Sequence, residues 1–177
     1  MTGGSGKEFS PTDPFRYCPA DGTRLGETRA SGGTTCPECG RSWYRNSAPT
    51  VGAAIVRDGK ALVTVRGIEP EKGKVDVPGG FLEVGEHPVE GLRREIQEEL
   101  GVEAEVEGNP VLLATHTYGE EGNWVLAIGF KVRIEGEPRP ADDVAELRWI
   151  SAGEVDELDF AWEHDRRFVR EALRGDG

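Results

Sequence analysis

From Pro49 onward, short apolar runs alternate with turn residues. The runs "TVGAAIV" and "ALVTVRG" flank "RDGK", and an Asp-Gly pair between β-rich segments predicts a hairpin. "VDVPGGFLEV" predicts a short strand that meets a Gly-Gly break. Val89, Leu92, Ile96 and Leu100 then recur at helical spacing and predict a helix from Pro88 to Leu100. Proline at its first position and Gly101 just past its end are the matching punctuation. "VLLATHTY" and "WVLAIGFKVRI" predict two strands joined by "GEEGN", "AELRWIS" a further strand, and "FAWEHDRRFVREAL" a closing amphipathic helix. No internal repeat is present. Such a pattern predicts an α+β fold, a mixed sheet with helices on both faces. Before Pro49 the periodicity is lost. Residues 1–14 are rich in Gly, Ser and Pro and read as a disordered tail, residues 15–46 as a small cysteine-bearing module, and residues 47–174 as the main domain.

The helix carries an odd load. Taking Leu92 as zero on a wheel of about 100° per residue, Val89, Ile96 and Leu100 fall at roughly 60°, 40° and 80°. On the same wheel Glu99, Glu95 and Glu98 fall at roughly −20°, −60° and −120°, an arc along the edge of the apolar stripe. Glu99 points almost into the core. A partly buried carboxylate needs a partner or is neutralised. Arg93 and Arg94, at roughly 100° and 200°, are not centred over the arc. A divalent cation suits three converging carboxylates best, and Mg²⁺ and Mn²⁺ prefer oxygen ligands. The plainer reading is a solvated acidic face with i,i+4 support such as Glu90 with Arg94. Gly79 and Gly80 weigh against it, since glycine lets a backbone carbonyl approach whatever the carboxylates hold.

Composition narrows the function classes. At 177 residues with 36% hydrophobic side chains the chain can bury a real core. A formal net charge of −12 repels nucleic-acid backbones and anionic lipid, so neither is expected as a partner. An anionic substrate then needs bound cations or a local Arg and Lys cluster. The amino terminus does not read as a signal peptide, and no apolar run reaches the roughly 18 residues of a membrane span. Three cysteines, two of them as C-x-x-C, suit a reduced, metal-binding cytoplasmic protein.

Gly80, Glu86, Arg94-Glu95, Ile96, Glu98-Glu99, Gly101 and Val102 fill every defining position of a motif 23 residues long. The stretch resembles a complete Nudix box, and "VRGIEPEKGKVDVPGGFLEVGE" resembles the lead-in found in Nudix proteins with a zinc ribbon. The resemblance implies a Nudix-type α/β/α sandwich and hydrolysis of a nucleoside diphosphate linked to another group. It implies Glu95, Glu98 and Glu99 as catalytic Mg²⁺ or Mn²⁺ ligands, assisted by the Gly79 or Gly80 carbonyl. Glu98 is a ligand or the general base, and Glu86 and Arg94 hold the loop–helix–loop together. Some family members take the base from a downstream loop, where Glu120, Glu121, Asp142, Asp143 and Glu146 are candidates or plain surface charges. Arg66 is a phosphate contact or a salt-bridge partner. Three departures stand out. His87 in place of Ser or Thr weakens the N-cap, Gly91 in place of Ala costs about 1 kcal/mol of helix stability, and Val75 in place of an aromatic alters the pocket floor.

"YCPADG" and "CPECG" look like the two knuckles of a zinc ribbon, fourteen residues apart. Cys18, Cys36 and Cys39 have ligand spacing, and Asp21 takes the place of the expected fourth cysteine. Zinc accepts carboxylate oxygen, so a structural Cys₃Asp site and a metal-free remnant both stay open. The acidic balance disfavours a nucleic-acid-binding ribbon.

The substrate is less legible. The Ser-Gln-Pro-Trp motif of NADH pyrophosphatases and the downstream proline of ADP-ribose hydrolases are both missing. Tyr118 sits where dinucleoside polyphosphate hydrolases tend to have a tyrosine. Trp124, Phe130, Trp149, Trp43, Tyr44 and Trp162 are stacking residues or ordinary packing. The expected substrate is ADP-ribose, a dinucleotide, a dinucleoside polyphosphate or a nucleotide sugar, and the resemblance carries a homodimer as the expected assembly. The rival is a catalytically silent Nudix-fold sensor of a nucleotide derivative, which has no need of all three glutamates.

Overall fold

The computed structural model describes residues 16–27, 32–120 and 122–175. The expected tail at residues 1–14 and the candidate Glu121 lie outside them.

Two sheets form. A two-stranded antiparallel sheet pairs β1 (Gly33–Thr35) with β2 (Ser42–Tyr44). The large sheet holds β3 (Ala48–Arg57), β4 (Lys60–Arg66), β5 (Val75–Asp76), β6 (Gly79–Phe81), β7 (Glu103–Tyr118), β8 (Asn123–Glu135) and β9 (Val144–Ile150). Its path runs β5-β4-β3-β8-β7, with β6 pairing β3 and β9 pairing β4. The pairing of β3 with β8 is parallel and the others are antiparallel, so the sheet is mixed. Asp58 and Gly59 turn the β3–β4 hairpin at φ 52° and 71°, the left-handed pair that matches strand twist.

Helix α1 (Pro88–Leu100) covers one face and α2 (Glu163–Arg174) the other. Strand alternation divides the core between them. Ala53, Ile55 and Leu62 pack with Leu92, Ile96 and Leu100 of α1, whereas Ala54, Ala61 and Val63 pack with Phe168, Val169 and Ala172 of α2. Leu92, Ile96 and Leu100 are fully buried, each worth about 1.5–3 kcal/mol of hydrophobic stabilisation. Among the described residues no helix is long and apolar enough to cross a membrane.

Two elements differ from the sequence expectation. Strand β7 begins at Glu103, not Val111, because "GNP" is absorbed as an irregularity between Glu107 and Leu112 and pairing with β8 resumes beyond it. Helix α2 begins at Glu163, not Phe160. The Val75 backbone occupies the preceding residues, with Val75 N–H bonding Asp159 O and Ala161 N–H bonding Val75 O, both at 2.8 Å. Trp162 is thereby left extended at the helix entry. Val75 itself is core, packed among Val77, Phe160 and Val155, and is not a pocket floor.

Candidate active site

The glycine pair sets the geometry. Gly79 and Gly80 lie on β6 opposite Gly52 and Val51 of β3. Gly79 has φ 142°, and a Cβ there would lie 2.0 Å from Val51 O, so no other residue fits. Its N–H donates to Glu99 Oε2 at 2.9 Å. A Cβ on Gly80 would lie 2.6 Å from the Glu95 carboxylate. The two glycines thus make room for two carboxylates of α1 against the strand backbone.

Glu99 is only 6% exposed. Burial pushes its carboxyl well above the usual range, the Gly79 N–H opposes this, and Asp143, Glu95 and Asp76 push it further. Burial also raises Glu95, against the pull of Arg94. Glu98 is half exposed.

Arg94 organises this end of the site through five hydrogen bonds. Nε and Nη2 fork onto Glu86 at 2.9 and 3.0 Å, Nη2 also reaches Phe81 O at 3.1 Å, and Nη1 bonds Glu95 at 2.8 Å and Glu98 at 3.0 Å. The Arg94 fork, helped by the Glu83 N–H, holds the Glu86 carboxyl down at about 2. The wheel put Arg94 beside Glu98 but off the centre of the arc, and its long side chain reaches along the arc to Glu95 as well. Glu90 pairs with Arg93 at 2.8 Å, not with Arg94. With Arg94 between Glu95 and Glu98 and Glu99 turned inward to Gly79, the three carboxylates do not form as tight a cluster of ligating atoms as the cysteines do, among the described residues.

Two expected weaknesses of α1 read differently. His87 accepts the Val89 N–H on Nδ1 at 3.3 Å, so the imidazole itself caps the helix. A Cβ on Gly91 would meet Leu82 Cδ2 at 2.3 Å and Glu86 Oε2 at 2.8 Å. Glycine there lets the box loop close onto the helix.

Beside the glycine pair a cleft runs from Gly79, Gly80 and Phe81 to Phe168, and the carboxylates of Glu95 and Glu99 lie against the two glycines rather than lining it themselves. Arg66 and Tyr118 both line it. Arg66 is a salt-bridge partner here: it bonds Asp76 at 2.8 Å, Pro70 O at 2.8 Å and the Tyr118 hydroxyl at 3.3 Å. Of the downstream acids, Asp143 lines the cleft, Glu120 is exposed, Asp142 sits exposed in a φ 52° turn and Glu146 is forked onto Arg148. Backbone bonds from Arg139 and Ala141 to the carbonyls of Leu100 and Glu99 tie the Asp143 loop to the end of α1.

The sequence reading did not single out His116, His164, Asp165 and Asp76, and it left Trp162 ambiguous; all five line the cleft. A usable signal existed for Asp165. With Phe168, Val169 and Ala172 it completes an i, i+3, i+4, i+7 stripe, which puts a carboxylate on the buried face of α2. Phe130 is core, Trp149 lies under the Arg57 guanidinium at 5.2 Å and Trp124 is exposed.

In the small sheet the two knuckles repeat one backbone pattern. Gly22 N–H bonds Cys18 O at 2.8 Å, and Gly40 N–H bonds Cys36 O at 3.0 Å. The pattern brings ligating atoms of Cys18, Asp21, Cys36 and Cys39 within 4.8 Å of one another. Cys18 and Cys39 sulfurs lie 3.7 Å apart, and Cys36 Sγ lies 3.4 Å from Asp21 Oδ2. Two thiolates at about 2.3 Å from a tetrahedral zinc are separated by about 3.7 Å, so the donor set fits that ion. Thr23, through its N–H to Asp21 Oδ1 at 2.9 Å, holds the carboxyl well below its usual range. The Arg41 N–H opposes, but the Asp21 carboxylate and burial prevail, and the Cys39 thiol is pushed up to about 12.

The chain matches the NUDIX domain over residues 46–172 and belongs to that family. It is similar to an ADP-ribose pyrophosphatase of Methanocaldococcus jannaschii, 29% identical over 131 residues that span 74% of this chain and 76% of the relative. It is also similar to the NAD-capped RNA hydrolase NudC of Pseudomonas aeruginosa, 28% identical over 77% of this chain but only 48% of that protein. The chain thus spans about half the length of that relative. The crystal structure of a NUDIX hydrolase from Nitrosomonas europaea shares the fold, with a TM-score of 0.72 over 90% of both chains at 23% identity.

Proposed function

We propose that the protein hydrolyses a pyrophosphate bond in a nucleoside diphosphate linked to another moiety, with Glu95, Glu98 and Glu99 and the Gly79 carbonyl holding Mg²⁺ or Mn²⁺. The observation that carries this reading is Glu99, a buried carboxylate with one backbone hydrogen bond, next to a second carboxylate cradled by Gly80. Such groups are satisfied by a hard cation. A divalent ion there supplies charge neutralisation to the pyrophosphate and acidity to a bound water.

The chain's own contribution is orientation. Gly79 N–H fixes the Glu99 carboxylate, and Arg94, itself anchored by Glu86, fixes Glu95 and Glu98. Glu98 and Asp143 are the acids available to take the proton of the attacking water. Replacing each by its amide separates the two roles. Gly101 ends α1 in the left-handed region at φ 67°, where the chain turns toward β7.

Residues 15–46 serve as a structural zinc ribbon through Cys18, Asp21, Cys36 and Cys39, beside a hydrolase domain at 47–174. Reduced cysteines suit a cytoplasmic protein. The partner is a small nucleotide derivative, not a nucleic-acid strand, given the net charge of −12. The name of the archaeal relative puts ADP-ribose first among the substrates. A screen of ADP-ribose, NADH, dinucleoside polyphosphates and nucleotide sugars with Mg²⁺, with products resolved by chromatography, tests the reading. Cleavage of one of them by the wild type and not by Glu99→Gln is expected. Tight binding of a compound without cleavage would instead make the protein a sensor.

A further inference from the structure

We propose that the outer edge of β7, from Leu112 to Tyr118, is a self-association surface. A second copy of this chain adds its own β7 there, antiparallel about a two-fold axis at Thr115. The inference goes beyond the hydrolase reading and does not rest on it.

The backbone comes first. β7 is the last strand of the large sheet. β8 takes one of its edges, from Leu112 opposite Gly129 to Tyr118 opposite Asn123, and among the described residues no strand takes the other. Nor, among them, does any backbone bond from outside the sheet reach residues 109–118. In an antiparallel pair every second residue turns its N–H and C=O outward, so this edge offers a row of groups that only another strand satisfies in register.

Such edges are normally blunted by charge, proline or a bulge, and all three occur elsewhere in this sheet. At the opposite edge β9 is seven residues long and carries Glu146 forked onto Arg148. In the first half of β7, Glu105 and Glu107 pair with Arg133 of β8. Pro110 lies in the irregularity between Glu107 and Leu112 that closes that half. From Gly108 to Gly119 there is no Asp, Glu, Lys or Arg, in a chain that is 31% charged. The protection stops where the open edge begins.

The side chains agree. Leu113 is 70% exposed opposite Ile128, and Trp124 is 46% exposed opposite Thr117. Strand alternation puts both on the α1 side of the sheet, where the α1 core takes in Ile128, Phe130 and Val132 and leaves the hairpin end bare.

Charge selects the occupant. A chain of net charge −12 is repelled by its own copies over most of its surface, and a strip without acids is where two copies approach at least cost. A basic partner would be drawn to the acidic faces instead. With the axis at Thr115, Leu112 falls opposite Tyr118 of the second copy and Leu113 opposite its Thr117. Glu107 then faces Asn123 and Glu120 faces Pro110, so no carboxylate meets another. Only Thr117 separates Leu113 from Trp124 of the second copy, and the two bare apolar side chains cover one strip. His116 and Tyr118 of the same strand line the cleft, so the pairing also braces one cleft wall.

Sedimentation equilibrium of the full chain, without substrate or added Mg²⁺, tests this. A reversible monomer–dimer equilibrium is expected, with a dissociation constant below about 1 mM. Thr115→Lys sets two like charges face to face on the axis and should raise that constant about 100-fold or more. Leu113→Lys should raise it too, and Ile68→Lys, at an exposed apolar residue off this edge, should not. All three positions are exposed, so the monomer keeps its fold. Hydrogen exchange locates the contact: the outward amides within residues 112–118 should exchange slowly in the dimer and fast in Thr115→Lys. A monomer up to about 1 mM overturns the proposal. So does a dimer unmoved by both edge lysines, one weakened equally by Ile68→Lys, or one in which those amides stay unprotected.

Discussion

Glu99 Oε2 accepts the N–H of Gly79 at 2.9 Å, and this bond joins the C-terminal turn of α1 to the strand that leads into the glycine pair. Among the described residues it is the one hydrogen bond of a carboxylate otherwise surrounded by core and by other acids. Because burial raises the folded-state pKa of Glu99, the ionised group weakens the fold as pH rises through that value. Glu99→Gln removes the charge and keeps the shape. At neutral pH and without Mg²⁺ the variant should melt at the same temperature as the wild type or higher. Its Mg²⁺-dependent turnover should fall by about 100-fold or more, since even outer-shell partners of a metal are worth 10–100-fold. Added Mg²⁺ should raise the melting temperature of the wild type only. Near-wild-type turnover in the variant would remove Glu99 from the metal site.

Arg94 is the second test, because all five of its hydrogen bonds go to residues of the box. Lysine cannot reproduce the fork onto Glu86. Arg94→Lys should lose about 1.5–3 kcal/mol in urea denaturation, the scale of a lost charge-assisted bond. The Mg²⁺ concentration for half-maximal activity should rise as Glu95 and Glu98 lose their anchor. A variant as stable as the wild type, with an unchanged Mg²⁺ requirement, would make the Arg94 contacts incidental.

These two residues mark where sequence reasoning reached and where it stopped. Helix position gave the buried angle of Glu99 because that is a backbone property. It put Arg94 off the centre of the arc and did not foresee the reach of its head group to Glu95 and Glu86, because a long side chain extends past its own angular sector. His87 and Gly91 looked like weaknesses while only helix propensity was counted. The cap on Val89 N–H and the close approach of Leu82 and Glu86 are tertiary facts. Pattern found the β3–β4 hairpin through its Asp-Gly turn, yet it began β7 late because Gly-Asn-Pro mimics a strand end. Asp165 was legible in the helical stripe it shares with Phe168, Val169 and Ala172, whereas Trp162 needed the pairing of Phe160 and Ala161 with Val75, a contact across some eighty residues that no local period encodes.

The cysteine module makes a separable prediction. The four donors are already gathered, so purified protein should carry about one zinc per chain, the stoichiometry of one four-ligand site. Chelation should lower the melting temperature. Asp21→Ala should lose the metal, and Asp21→Cys should hold it more firmly, as thiolate is the softer donor. Metal analysis and melting curves of the three proteins decide the matter. No zinc in the wild type, with melting unmoved by chelator, would make the knuckles a metal-free remnant.

The pH dependence of stability tests the electrostatics of the cleft. Burial, reinforced by His116 and Arg167, lowers His164 from 6.5 to about 4. Above pH 6.5 the imidazole is neutral in both folded and unfolded chains, and its contribution to stability is fully present. Between pH 6.5 and about 4 the unfolded chain binds the extra proton, so stability falls as pH falls, and below about 4 the loss is complete. The side chain is 12% exposed, and the loss amounts to at most about 3 kcal/mol. Asp165 and Glu99 act in the opposite sense, because their raised values favour the fold as pH falls. The wild-type curve alone mixes these signs, and the difference from His164→Gln isolates the imidazole. Urea denaturation from pH 4.5 to 7.5 should show the variant gaining on the wild type steadily toward acid. Parallel curves would mean that His164 is solvated.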